Sequence, residues 1–108
     1  MMMTYKLFLD DYRDRPDTSW NVIARSKKEF CQIIEAQGLP REISFDHDLN
    51  DTHYGLNYSD KETGADCAAW LHNYIKRNNL ELMPFKVHSL NPNARRRIEL
   101  AITGRNYA

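Results

Sequence analysis

Short, mostly apolar runs alternate along the chain with longer stretches whose apolar positions recur every three or four residues. Tyr5–Leu9 (YKLFL) predicts a strand that stops at Asp10-Asp11, and Trp20–Arg25 (WNVIAR) predicts a second short one. Ser26-Lys27-Lys28-Glu29 has the S-x-x-E form of a helix-starting capping box. Phe30, Ile33 and Ile34 follow on one stripe, and Gly38 and Pro40 stop that helix. Glu42–Phe45 (EISF) predicts a third strand, ending at Asp46-His47-Asp48. After a polar stretch, Leu49–Glu62, the segment Thr63-Gly64-Ala65-Asp66 caps a second helix that carries Cys67, Ala68, Leu71 and Ile75 on one face. Phe85–His88 (FKVH) predicts the fourth strand. Asn91 then serves as N-cap, with Pro92 at the first position of a last helix whose stripe is Ala94, Ile98, Ala101 and Ile102.

Strands alternating with helices of this length predict an α/β domain with a mostly parallel sheet. The link Tyr12–Ser19, with Pro16 inside it, is shorter than the ~10–12 residues a crossover with its own helix needs. It predicts an extended crossing or an edge position for the second strand. At 108 residues the chain is expected to form one domain, 1–108. Fifteen Lys plus Arg balance fifteen Asp plus Glu, which argues against a partner such as duplex nucleic acid. With 42% apolar and 28% charged residues, the composition is that of a folded chain. No apolar run approaches the ~20 residues that span a bilayer, and the MMMTYK start has no signal-peptide core, so no membrane association and a cytoplasmic location are expected. Cys31 and Cys67 form no CxxC and fall on inward helix faces, where reduced core thiols are expected.

In open α/β sheets, ligands bind beyond the carboxyl ends of the strands. Three strands here finish in polar or ionisable groups: Asp10-Asp11, Asp46-His47-Asp48 and His88-Ser89-x-Asn91. Parallel strands would bring all three to one edge. Four Asp in a small cleft repel unless compensated, so Asp10, Asp11, Asp46 and Asp48 form a candidate site for Mg²⁺ or another divalent cation, with no organic cofactor. His47 and His88 are candidates for a general acid/base pair, with Asp46 beside them. Phosphate oxygens need cationic or amide donors, and Arg13, Ser89, Asn91 and Arg95 are the candidates for contacting substrate. His72 and His53 are expected to be structural. The 49–62 stretch, with His53, Tyr54 and Tyr58, has the length of a binding loop.

The segments LFLDDYRDRP, ISFDHDL, TGADCAAWL and VHSLNP, in that order over nearly the whole chain, resemble the cyclic-phosphate-processing receiver-like domains, a family related in fold to response-regulator receivers. The resemblance implies a flavodoxin-like, open, mostly parallel four-stranded sheet with helices on both faces. The fifth strand and its phosphate-binding Lys have no counterpart, because the sequence ends after the helix that would precede them. It puts Asp10 and Asp11 at the acidic pair of a receiver, Asp46 at the phosphoacceptor position, and His88 and Ser89 where receivers keep a small hydroxyl residue. The two histidines depart from ordinary receivers and favour hydrolytic or binding chemistry over stable aspartyl-phosphate signalling. The expected function is a phosphoesterase acting on a small molecule, a nucleoside 2′,3′-cyclic phosphate or a cyclic (oligo)nucleotide. The alternatives are a module that sequesters such a nucleotide and a degenerate receiver that docks on a protein.

Overall fold

A computed structural model describes residues 5–46, 48–49, 62–89 and 92–104, with the side chains at 48, 49 and 62 outside that description. Along the chain lie β1 (Lys6–Leu9), β2 (Val22–Ala24), α1 (Lys27–Gln37), β3 (Glu42–Phe45), β4 (Asp48–Leu49), β5 (Glu62–Thr63), α2 (Gly64–Arg77), β6 (Phe85–Val87) and α3 (Pro92–Ile102). The main sheet has four strands in the order β2-β1-β3-β6, all parallel, with Leu9 level with both Ala24 and Phe45 and Phe45 level with Val87. This is the receiver-like α/β fold, four strands and three helices. β4 and β5 form a separate antiparallel pair, Asp48 opposite Thr63 and Leu49 opposite Glu62. The 49–62 stretch, expected to be a binding loop, therefore starts and ends in a short ladder.

Strand order and handedness decide where the helices go. The connections β2→α1→β3 and β3→α2→β6 both step in the same direction across the sheet, so right-handed crossovers place α1 and α2 on the same face. The step β1→β2 runs the other way and would put its helix on the opposite face, but residues 10–21 contain no helix. Accordingly Leu7, Leu9, Ile43 and Phe45 pack with Phe30 and Ile34 of α1, Cys67, Ala68 and Leu71 of α2, and Ile98, Ala101 and Ile102 of α3 in one cluster. Phe30 links the layers, 5.8 Å from the Phe45 ring and 6.1 Å from Trp70. Helices were expected on both faces; among the described residues all three lie on one.

The other face carries the alternate residues of the same strands: Lys6, Phe8 and Asp10, Glu42, Ser44 and Asp46, Lys86 and His88. Trp20, buried at 4% exposure, lies edge-on to Phe8 at 6.2 Å and under the Lys6 ammonium at 4.2 Å. The Glu42 carboxylate sits between Lys6 and Lys86, at 3.6 and 3.5 Å.

The predicted caps form with one variation. The Ser26 hydroxyl accepts from the Glu29 N–H at 3.1 Å, but the Glu29 carboxylate reaches past Ser26 to the Arg25 N–H at 2.7 Å. At α2 the capping box closes in the usual way, Asp66 accepting from the Thr63 N–H at 2.8 Å. Cys67 is buried, Cys31 is part-buried, and they form no disulfide. No helix among the described residues is long and apolar enough to cross a membrane.

Candidate active site

The three strand ends meet because the ladder continues one rung past each strand. Asp10 N–H donates to the Ala24 carbonyl (3.1 Å), Asp46 N–H to Leu9 (2.9 Å) and His88 N–H to Phe45 (3.0 Å). Since Leu9, Phe45 and Val87 are in register, the residues after them arrive level at the carboxyl edge. An oxygen of Asp10, an oxygen of Asp46 and a ring nitrogen of His88 all lie within 4.8 Å of one another. Asp10 is buried, whereas Asp46 and His88 are part-buried, so the cluster opens to solvent on the side of the latter two.

Asp10 is the most constrained member. Its Oδ1 accepts from the backbone N–H groups of Tyr12 (2.9 Å) and Arg13 (2.8 Å), a turn in which the carboxylate replaces a backbone acceptor. Arg25, directly after β2, grips the same turn: its Nη1 donates to the carbonyls of Asp10 (3.1 Å) and Arg13 (2.6 Å). Oδ2 faces His88 Nε2 at 3.0 Å. Burial alone would push the Asp10 carboxyl up. The N–H groups of Arg13 and Tyr12, with the hydrogen bond and charge of His88, more than offset it and hold the group below its ordinary 3.8. Asp10 is therefore an acceptor-only carboxylate at neutral pH, and Nε2 of His88 carries a proton toward it.

The imidazole of His88 is held on three sides. Phe8 stacks on its face, ring centroids 4.7 Å apart and planes within 9°. Nδ1 lies 2.7 Å from the hydroxyl of Ser44, and Nε2 meets Asp10. Nε2 is thus the ring atom that faces the cluster.

Of the residues singled out in the sequence, Asp10, Asp46 and His88 come together. Asp11 is part-buried next to Asp10 but is not one of the three. Arg13 is exposed and reaches Asp10 through its backbone N–H; Ser89 is part-buried directly after His88, and Arg95 is exposed on α3. Asp48 is placed by its backbone in β4, its side chain lying outside the described residues. His47 and Asn91 lie outside the described residues, as do His53, Tyr54 and Tyr58. His72 is part-buried on α2. Three residues that the sequence reading missed shape the site: Ser44, Phe8 and Arg25. For the first two a signal existed, because strand alternation puts Ser44 two residues before Asp46, and Phe8 two before Asp10, on the same face.

A carboxylate, an imidazole and a hydroxyl in one hydrogen-bonded row, with a second carboxylate beside the imidazole, form a group able to move a proton at Nε2 and to hold water or a cation between two acids. Comparison with curated proteins and with solved structures found no match in either. The family model of the cyclic-phosphate processing receiver domain, by contrast, matches residues 5–104. Covering nearly the entire sequence, that match establishes that the chain belongs to the cyclic-phosphate processing receiver domains.

Proposed function

We propose that the chain hydrolyses a cyclic phosphate, either a nucleoside 2′,3′-cyclic phosphate or a cyclic (oligo)nucleotide, at Asp10, Asp46 and His88. The observation that carries this reading is the convergence of two carboxylates and an imidazole from three separate strand ends within 4.8 Å, in a chain of this family. Ring opening adds water to phosphorus and breaks one P–O ester bond. The attacking water gives its proton to the Asp46 carboxylate, and the departing ester oxygen replaces Asp10 as the acceptor of His88 Nε2–H and takes that proton. Asp10 supports the charged ring and fixes its aim. The oxygens of Asp10 and Asp46 fit a hard divalent cation such as Mg²⁺, which when bound would neutralise charge on the phosphoryl oxygens. Arg13, Ser89, Asn91 and Arg95 are the groups assigned to the phosphate in this reading.

Phosphorus NMR of the protein with a panel of cyclic mono- and oligonucleotides, run with Mg²⁺ and again with chelator, tests it. A linear phosphate ester is the expected product, and His88→Ala should lower turnover by ~10²-fold or more. Full activity in that variant refutes the assignment of His88. A nucleotide bound but returned intact after heat denaturation would make the chain a sequestering module. Labelling of Asp46 by acetyl phosphate, without turnover, would make it a receiver-like docking domain.

A further inference from the structure

Ser44 belongs to none of the strand-end clusters. It lies inside β3, between the core residues Ile43 and Phe45, and is 2% exposed. A buried hydroxyl in a central strand needs a hydrogen-bonding partner, and one that Ser44 meets is the ring nitrogen of His88, Nδ1, at 2.7 Å. The contact spans two strands and 44 residues of sequence, so no local turn or cap accounts for it.

We infer that Ser44 is a positioning residue for the reaction: its hydroxyl pins Nδ1 of His88 so that Nε2 stays aimed at Asp10 and Asp46. The inference rests on the reading of His88 as the proton-transfer group. Phe8 fixes the plane of the ring but leaves it able to rotate within that plane's contact, whereas the bonds at Nδ1 and Nε2 together fix the direction. A hydroxyl suits this place better than a carboxylate, an amide N–H or a carbonyl. In the doubly protonated ring, and in the neutral ring left once Nε2 has given its proton away, Nδ1–H donates to Oγ; in the other neutral tautomer, with the proton on Nε2 toward Asp10, the hydroxyl turns and donates to Nδ1. Ser44 therefore holds the ring through both halves of an acid/base cycle without any movement of the imidazole.

The isosteric pair Ser44→Thr and Ser44→Val separates the hydroxyl from packing, because the two side chains have nearly the same shape and both suit a strand. Turnover of adenosine 2′,3′-cyclic phosphate should stay within about threefold of wild type in Ser44→Thr. In Ser44→Val kcat should fall ~10-fold or more while KM stays within about twofold, as expected when a positioned acid or base loses its geometry. Nitrogen-15 NMR of histidine-labelled protein, with His88 assigned by its loss in His88→Gln, supplies a second reading. The Nδ1 resonance should keep its hydrogen-bonded shift in the Thr variant and move in the Val variant. Equal kcat for Thr and Val, or a Nδ1 shift that is the same in both, overturns the inference. A wild type that opens no cyclic phosphate sinks the proposed function instead, and the nitrogen shifts then still decide whether Ser44 holds the ring. Should the Val variant fail to fold, the same comparison is made between wild type and Ser44→Ala, which loses the hydroxyl without added bulk.

Discussion

Asp10→Ala removes the acceptor at the centre of the site, and its cost can be worked from the bonds. Two lost bonds come from the backbone N–H groups of Tyr12 and Arg13, residues exposed enough for water to replace the carboxylate, so each contributes about 1 kcal/mol. The third comes from His88 Nε2, whose side chain is 18% exposed, and a charge-assisted bond there contributes about 1.5–3 kcal/mol. Removing a buried carboxylate next to Asp46 returns part of this. The fold nevertheless holds Asp10 more acidic than an ordinary carboxyl, so the balance favours the ionised group. We expect a net loss of about 2–4 kcal/mol from a total that for a domain of this size is about 5–15. Asp10→Asn keeps the shape and an oxygen for the two N–H groups and should lose about 1–2 kcal/mol. Because the folded-state pKa is depressed, the stabilisation is fully present above the ordinary 3.8 and is lost as pH falls below it. Urea unfolding at pH 7 and near pH 3 is the assay, with a gap between wild type and Asp10→Ala that narrows in acid. An Ala variant as stable as wild type at pH 7, or a gap unchanged by acid, would refute the reasoning.

Three further outcomes test the scaffold. Thr63→Ala removes the hydroxyl half of the α2 capping box and should cost about 1 kcal/mol, read as a lowered thermal midpoint; no shift would mean the cap is idle. Gly104 has φ +80°, and a Cβ there would fall 2.4 Å from the His72 ring, so Gly104→Ala should cost at least about 1 kcal/mol by urea unfolding. Burial, with the neighbouring Tyr74, pushes the Tyr5 hydroxyl from 10.0 up to about 12. Its neutral form is the one the fold favours, so stability should be level below pH 10 and fall between pH 10 and 12, a loss absent in Tyr5→Phe.

How much of this was legible in the sequence follows from the range of each interaction. Ser26 with Glu29 and Thr63 with Asp66 announce their helices because capping is local, and the structure shows both caps, although Glu29 reaches to Arg25 instead of Ser26. Asp10, Asp46 and His88 were readable as strand ends, and parallel register alone is enough to make them neighbours. Strand alternation places Ser44 on the face of Asp46, but its role was not readable, since nothing in EISF says which imidazole its hydroxyl meets 44 residues later. The single helical layer was partly readable. Polar residues at alternate positions of EISF and FKVH differ from the continuous apolar runs of strands covered on both faces, whereas KLFL, with only Lys6 polar, does not. The pair β4–β5 was not, because two residues on each side carry too little pattern to register as strands.

The grip of Arg25 on the turn around Asp10 ties the candidate site to an edge of the sheet. β2 has three residues and a single neighbour, so its opening breaks few ladder bonds. When it frays, the guanidinium lets go of both carbonyls, and the Asp10 N–H loses the Ala24 carbonyl as well. Amide exchange at Asp10 should accordingly report sub-global breathing of this margin. Substitutions at Val22 or Ile23 that loosen this edge should therefore raise exchange at the Asp10 amide before they alter the central strands.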